Sequence, residues 1–115
     1  MNILDPDGFR GTRAWLLARD AELRDRLERV QADLRRERQP LPGAWADAAI
    51  VIENDEVLQA IKASAKGELE RIRHALARMN SGVFGLCEHC GDTIEMERVR
   101  VVPYATSCSD CERLP

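Results

Sequence analysis

Aromatic residues are scarce in this chain of 115 residues, which has two tryptophans, two phenylalanines and one tyrosine. Charged residues make up 32% of the chain, so it has little bulky apolar material to fill a globular core. No run of 18 apolar residues occurs, which argues against a membrane-spanning helix. Alanine, leucine, arginine and glutamate dominate instead, as they do in long helices. The composition therefore predicts an elongated, mainly helical protein.

Cysteine is absent until residue 87, and four cysteines then follow as two Cys-x2-Cys pairs separated by 17 residues. Each pair can present two thiolates from one tight turn, and two pairs complete a tetrahedral shell of four sulfurs. The spacing predicts one structural Zn²⁺ with no open coordination position, a site that supports a fold and does not catalyse. The predicted ligands are Cys87, Cys90, Cys108 and Cys111.

Two other interpretations of the cysteines are weaker. Two disulfides would require export, and residues 1–8 have neither the basic start nor the apolar core of a signal peptide, so we expect a cytoplasmic protein. A dithiol redox centre is the main remaining alternative, although two pairs favour it less than a single pair would. His89 is a rival zinc ligand, but four cysteines already complete the shell.

Two apolar seams with steps of mostly three or four residues predict two long helices, near residues 10–38 and 45–79. Pro40 and Pro42 separate them, since a helix interior does not accept proline. We therefore expect an antiparallel coiled-coil hairpin whose second helix is about 50 Å long. Arg13 and Asp20 stand at seam positions, where we expect loose packing or polar partners. The seam residues are Leu16, Leu23, Leu27, Val30 and Leu34 in the first helix, and Leu58, Ile61, Ala65, Leu69, Ile72, Leu76 and Met79 in the second.

A zinc ribbon is predicted after the second helix, which Asn80 or Gly82 can end in a left-handed conformation. The predicted domains are residues 1–82 for the hairpin and 83–115 for the ribbon. The metal should supply much of the ribbon's folding free energy, because little apolar surface is available there. Short β segments are expected at Ile94, Val99, Val101, Val102 and Tyr104.

Charge is distributed unevenly along the predicted hairpin. Residues 39–61 contain no lysine or arginine and four acids, whereas residues 62–79 carry a net charge of +3. The basic stretch is most simply a solvated face. In the turn near residues 39–49, here called the tip, Asp47 lies within an apolar run that a two-helix hairpin cannot cover completely. The tip is therefore either a contact site or a turn in which Trp45 covers the end of the seam.

The ribbon sequence carries a specific resemblance. The segment 81–111, with Gly82-Val83-Phe84-Gly85-Leu86 running into Cys-x2-Cys-Gly and then a second Cys-x2-Cys, resembles the DksA/TraR family of bacterial transcription regulators. The resemblance covers nearly the whole chain. It implies a regulator in the stringent response that binds RNA polymerase without binding specific DNA. It also implies a coiled coil that enters the secondary channel of the polymerase and brings the tip near the catalytic magnesium.

The family's tip motif, Asp-x-x-Asp-x-Ala, falls on residues 44–49 when it is placed by its distance from the first cysteine. Asp47 and Ala49 match the second acid and the alanine, and the resemblance makes Asp47 the main regulatory residue. Ala44, followed by Trp45, stands where the family has its first acid. This departure predicts reduced potency.

Some members of the family act together with guanosine tetraphosphate, held by basic residues. The resemblance makes Arg71 and Arg98 candidate contacts to this alarmone or to the polymerase. Ser64 and Glu112 stand where further basic residues are expected, and Glu112 would repel a phosphate. These two departures weigh slightly against cooperation with the alarmone.

Other classes of function fit less well. A zinc-capped coiled-coil adaptor without transcriptional activity is the main alternative, and it differs from a self-closed monomeric hairpin in its oligomeric state. A zinc-ribbon nucleic-acid binder would need a clustered basic face, whereas this chain has a net charge of −3. An enzyme is least favoured, since the predicted zinc site is closed and no nucleophile is paired with a base.

Overall fold

Four helices make up the regular structure of the described residues. The computed structural model describes residues 6–37 and 48–112, and it describes side chains at residues 9–36 and 54–112. The long helices are α1, Pro6–Glu37, and α2, Ala48–Asn80. Two short helices follow, α3, Met96–Val101, and α4, Ser109–Glu112. The predicted mainly helical fold, a helical hairpin followed by a small cysteine-rich module, is confirmed.

The long helices begin and end within a few residues of the predicted bounds. Helix α1 begins at Pro6 rather than near residue 10. Proline is accepted in the first turn of a helix, because the amide hydrogen that it lacks has no intrahelical partner there. The predicted start of α2 at residue 45 lies outside the described residues. No described helix is long and apolar enough to span a membrane.

The chain divides into two compact units, each of which includes parts of both long helices. The first contains the described residues of Met1–Asp20 and Glu70–Pro115, and the second is Ala21–Leu69. In the first unit, Arg13 near the start of α1 donates a hydrogen bond to the Oδ1 of Asn80 at the end of α2 (3.2 Å). The start of α1 thus lies beside the end of α2, as in an antiparallel pair.

Polar partners meet the two charged seam positions, as the sequence predicted. Besides the Arg13–Asn80 hydrogen bond, the Nε of Arg73 lies 3.8 Å from the Oδ1 of Asp20. The Asp20 side chain is only 13% exposed, so this ion pair lies closer to the core than an ordinary surface pair does. The pair replaces apolar packing at one level of the seam.

Seven of the twelve predicted seam residues are buried, and four more are half-buried: Leu27, Leu58, Leu76 and Met79. Ile61 is 38% exposed although it continues the pattern of α2, and Ala75, which the pattern omitted, is fully buried. A small side chain allows two helices to approach closely, so an alanine facing a partner helix is easily covered. The buried seam residues are Leu16, Leu23, Val30 and Leu34 in α1, and Ala65, Leu69, Ile72 and Ala75 in α2.

Helix α2 ends in a Schellman motif centred on Gly82. The amide of Val83 donates a hydrogen bond to the carbonyl of Arg78 (3.0 Å), and the amide of Gly82 donates one to the carbonyl of Met79 (3.1 Å). The φ of Gly82 is +76°, the left-handed conformation that this motif requires. Of the two residues predicted to end the helix, Gly82 therefore does so.

The β segments predicted between the two cysteine pairs were wrong. Among the described residues the only β pairing is an isolated antiparallel bridge between Leu86 and Thr93. Val99 and Val101 instead lie in α3, whose turn is closed by hydrogen bonds from the amides of Arg98 and Val99 to the carbonyl of Glu95. Only Val99 of this helix is buried, and Val101 is 81% exposed. One helical turn suffices to bury one side chain, and β-branched residues form strands only where a partner strand is available.

Candidate metal centre and its surroundings

The four predicted zinc ligands lie together in the first unit. The Sγ atoms of Cys87, Cys90, Cys108 and Cys111 are all within 4.8 Å of one another, and none is in a disulfide. The two pairs approach each other at Cys90 and Cys108, whose sulfurs are 3.8 Å apart. His89 is not part of the cluster, so the ligand set is the four-sulfur set that the spacing predicted.

Local hydrogen bonds shape the first cysteine pair. The amide of Cys87 donates to the carbonyl of Asp92 (2.7 Å), and the amide of Gly91 donates back to the carbonyl of Cys87 (3.0 Å). Gly91 has a φ of +81°, which a residue with a Cβ atom rarely adopts. The amide of His89 points at the Cys87 Sγ (3.4 Å). This turn presents both sulfurs on one side of the chain.

The electrostatics of the four thiols favour a cation among them. Burial opposes ionisation of Cys87, but backbone hydrogen bonds from Cys108, Cys90 and His89 outweigh it and lower the pKa of Cys87 to about 6. The neighbouring thiol of Cys108 raises the pKa of Cys111 far above the ordinary value. Thiolates this close repel one another unless a metal neutralises them. The cluster therefore suits one structural Zn²⁺, a soft-ligand ion that binds four thiolates tetrahedrally.

Three interactions that the sequence did not predict surround the zinc cluster. The Nε2 of His74, on α2, is 2.6 Å from the Oε2 of Glu88, which lies between two zinc ligands. This contact and the proximity of the imidazole lower the pKa of Glu88. Arg78 donates to the carbonyls of Val83 (3.3 Å) and Leu86 (2.9 Å). These contacts join the last turns of α2 to the first cysteine pair.

A cavity of about 300 Å³ lies beside the second cysteine pair, within the first unit. The guanidinium of Arg71 lies over the Tyr104 ring, 5.7 Å from its centroid. The Nε of Arg98 donates to the carbonyl of Ser107 (2.9 Å), and its Nη2 is 3.7 Å from the Oε2 of Glu112. The two arginines that the resemblance singled out thus line one cavity. The remaining lining residues are His74, Val102, Ala105 and Thr106.

The predicted tip residues are described only in part. Ala49 lies in α2, in the portion for which side chains are not described. Ala44, Trp45 and Asp47 lie outside the described residues. Their role stays a prediction from the sequence.

Comparison with known protein families gives two adjoining matches that together cover most of the chain. Residues 13–79 match the model described as DnaK suppressor protein-like, N-terminal domain. Residues 82–114 match the model described as prokaryotic dksA/traR C4-type zinc finger. The second match contains all four cysteines of the cluster.

One solved structure and two curated proteins are similar to this chain. The structure of transcription factor DksA2 from Pseudomonas aeruginosa is similar with a TM-score of 0.83 and 28% identity, over 96% of this chain and 84% of that one. An uncharacterized protein of Aquifex aeolicus (strain VF5) is 29% identical over 70 residues, which are 61% of this chain and 48% of that protein. General stress protein 16O of Bacillus subtilis (strain 168) is 35% identical over 60 residues, 52% of this chain and 37% of that protein. The matched regions thus span less than half the length of these two curated relatives.

Proposed function

The chain belongs to the DksA/TraR family of proteins with a C4-type zinc finger, and we propose that it binds bacterial RNA polymerase at the secondary channel and modulates transcription initiation. The observation that carries this proposal is the similarity to transcription factor DksA2 over 96% of the chain, including both the helical hairpin and the cysteine cluster. Both family models match this one chain, so the proposal does not rest on the cysteine-rich module alone.

The tip is the proposed regulatory element. In this proposal, Asp47 approaches the catalytic magnesium of the polymerase, and Ala49 and Trp45 lie beside it. The charge pattern supports this, since residues 39–61 carry four acids and no basic residue. A carboxylate is attracted to a divalent cation and can serve as one of its oxygen ligands. Ala44, which replaces an acid, leaves Asp47 as the main charged group of the motif.

The proposed mechanism involves no chemistry on the part of this chain. The zinc ion holds the two cysteine pairs together, and that site is coordinatively closed when four thiolates bind it. The hairpin positions the tip, and the tip acts on the polymerase's own reaction. We accordingly propose a non-enzymatic, cytoplasmic, monomeric regulator that makes no specific contact with DNA.

A zinc-capped adaptor is the alternative proposal. Its coiled coil would bind another helix or a second copy of the chain, and the exposed Val57 and Ile61 of α2 give it some support. Sedimentation of the zinc-loaded protein at micromolar concentration distinguishes the adaptor from the proposed polymerase regulator. A monomer is expected from a hairpin that covers its own seam, whereas a stable dimer would favour the adaptor.

Binding to core polymerase tests the proposed partner directly. The zinc-loaded protein is titrated with bacterial core polymerase, alone and with a competitor known to occupy the secondary channel. We expect saturable binding that the competitor displaces. Binding that the competitor leaves unchanged would place the contact elsewhere on the polymerase, and the channel mechanism would be rejected.

A further inference from the structure

An arginine donates a hydrogen bond to the carbonyl group that directly precedes each cysteine pair. For the first pair this is Arg78, in the last turn of α2, whose Nη2 lies 2.9 Å from the carbonyl oxygen of Leu86. The amide of Cys87 belongs to the same planar peptide and donates to the carbonyl of Asp92 (2.7 Å). Hydrogen bonds on both sides thus fix the peptide that leads into Cys87.

A corresponding contact precedes the second pair, although its arginine comes from a different helix. Arg98, in α3, donates from its Nε to the carbonyl of Ser107 (2.9 Å), the residue before Cys108. Ser107 is buried, and a charge-assisted hydrogen bond is stronger where water is excluded. Two arginines from separate helices therefore hold corresponding peptides in the two pairs.

The cysteines that follow these two peptides are the buried members of the cluster. Cys87 is 3% exposed and Cys108 is 6% exposed, whereas Cys90 is exposed and Cys111 is half-buried. The surrounding protein sets the position of a buried ligand, while an exposed ligand has more freedom to adjust to the metal. The arginines therefore act on the two ligands whose positions the protein controls most closely.

We propose that Arg78 and Arg98 are positioning residues of the zinc site, each holding the buried cysteine of one pair where the metal requires it. Groups that orient metal ligands commonly change metal affinity by about 10–100-fold. The two guanidinium groups also bring positive charge to peptides next to a cluster that is negatively charged when four thiolates bind Zn²⁺. This role is independent of the proposed polymerase partner.

Competition between the zinc-loaded full chain and a zinc chelator of known affinity, under reducing conditions, tests this role. Arg78→Met and Arg98→Met keep a long side chain but remove the donor and the charge, so each should weaken zinc binding at least about tenfold. Each arginine contacts its carbonyl through a single nitrogen, which the ammonium of a lysine can replace. Arg78→Lys and Arg98→Lys should therefore stay within about threefold of the parent.

Two exposed arginines of the same helices provide the matched controls. Arg73→Met removes an ion pair with Asp20 within the hairpin, so it tests whether a less stable hairpin by itself weakens zinc binding. Arg100→Met removes an exposed positive charge from α3. Each should change zinc affinity less than about threefold.

The rescue by lysine distinguishes positioning from packing. If the two arginines only filled space, methionine would retain zinc affinity and lysine would lower it, which is the reverse of the expected result. Circular dichroism checks that the long helices remain in every variant. Arg98 lies outside the hairpin, so Arg98→Met keeps the test valid if Arg78→Met fails to fold. Unchanged zinc affinity in either folded methionine variant, a loss that lysine does not restore, or an equal loss in either control would each overturn the proposal.

Discussion

The ring of Phe84 meets the ring of Phe9 edge to face, with centroids 5.0 Å apart and planes at 82°. Phe9 lies in the first turns of α1, and Phe84 follows the glycine that ends α2, so the pair joins the start of the hairpin to the start of the ribbon. Phe84 is only 6% exposed. An edge-to-face pair adds about 0.5–1.5 kcal/mol to the free energy gained by burying the rings.

Phe84→Ala should therefore lower the free energy of unfolding by about 3–5 kcal/mol, because it removes a buried ring and leaves a cavity. Leu86→Ala is the control, since Leu86 is two residues away and 40% exposed. It should cost less than about 1.5 kcal/mol. Urea denaturation of the zinc-loaded proteins measures both changes. Similar costs for the two variants would show that the ring pair does not hold the ribbon to the hairpin.

Gly11 and Gly82 should respond oppositely to the same substitution. An added Cβ meets nothing within 4 Å at either position. Gly11 lies inside α1, where alanine is about 0.8–1 kcal/mol more favourable than glycine, so Gly11→Ala should raise the melting temperature. Gly82 has a φ of +76°, which a residue with a Cβ atom rarely adopts. Gly82→Ala should therefore lower the free energy of unfolding by about 1–2 kcal/mol and lower the melting temperature. Thermal unfolding followed by circular dichroism measures the change in melting temperature of each variant. A higher melting temperature for Gly82→Ala would contradict the Schellman motif at the end of α2.

Zinc removal should unfold the ribbon before the hairpin. The purified reduced protein should contain one zinc ion per molecule, and a strong chelator should abolish the ribbon's tertiary signals while most helical signal remains. The reason is that structural zinc contributes on the order of 10 kcal/mol to a module with few buried apolar residues, whereas the helices are held by their own seam. Cys108→Ser should mimic the chelator. Native-like ribbon signals in zinc-free protein would show that the module folds without metal.

The zinc ligands and the hairpin could be predicted because their signals are local in sequence. Two Cys-x2-Cys pairs are compatible with very few kinds of site. Leucines at helical spacing, such as Leu16 and Leu23, mark the buried face of a helix whatever that helix packs against. The stop after α2 was predictable for the same reason, although the sequence left Asn80 and Gly82 as alternatives for the left-handed residue, and Gly82 adopts that conformation.

The surroundings of the zinc site depend on the fold and were not predictable. His74 and Glu88 are 14 residues apart, and nothing in the sequence pairs them. The same holds for Arg71 and Tyr104, which meet only because the ribbon folds beside α2. The short helix α3 was predicted to be a strand because valines favour strands on average. Its single buried residue, Val99, forms no repeating pattern that could distinguish a helix from a strand.

The central claim is that Asp47 regulates the polymerase from the tip of the hairpin, and the most direct measurement compares Asp47→Asn with Glu56→Gln. Both remove one negative charge from residues 39–61, and Glu56 is an exposed residue of α2. Neither should change the free energy of unfolding by more than about 1 kcal/mol.

Each variant is assayed on a sensitive promoter at concentrations that give equal polymerase occupancy. The proposed function predicts that Asp47→Asn binds polymerase within a few-fold of the parent and loses most of the effect on transcription, while Glu56→Gln keeps it. Full regulation by Asp47→Asn at equal occupancy would contradict the claim and reduce the chain to a protein that only blocks the channel.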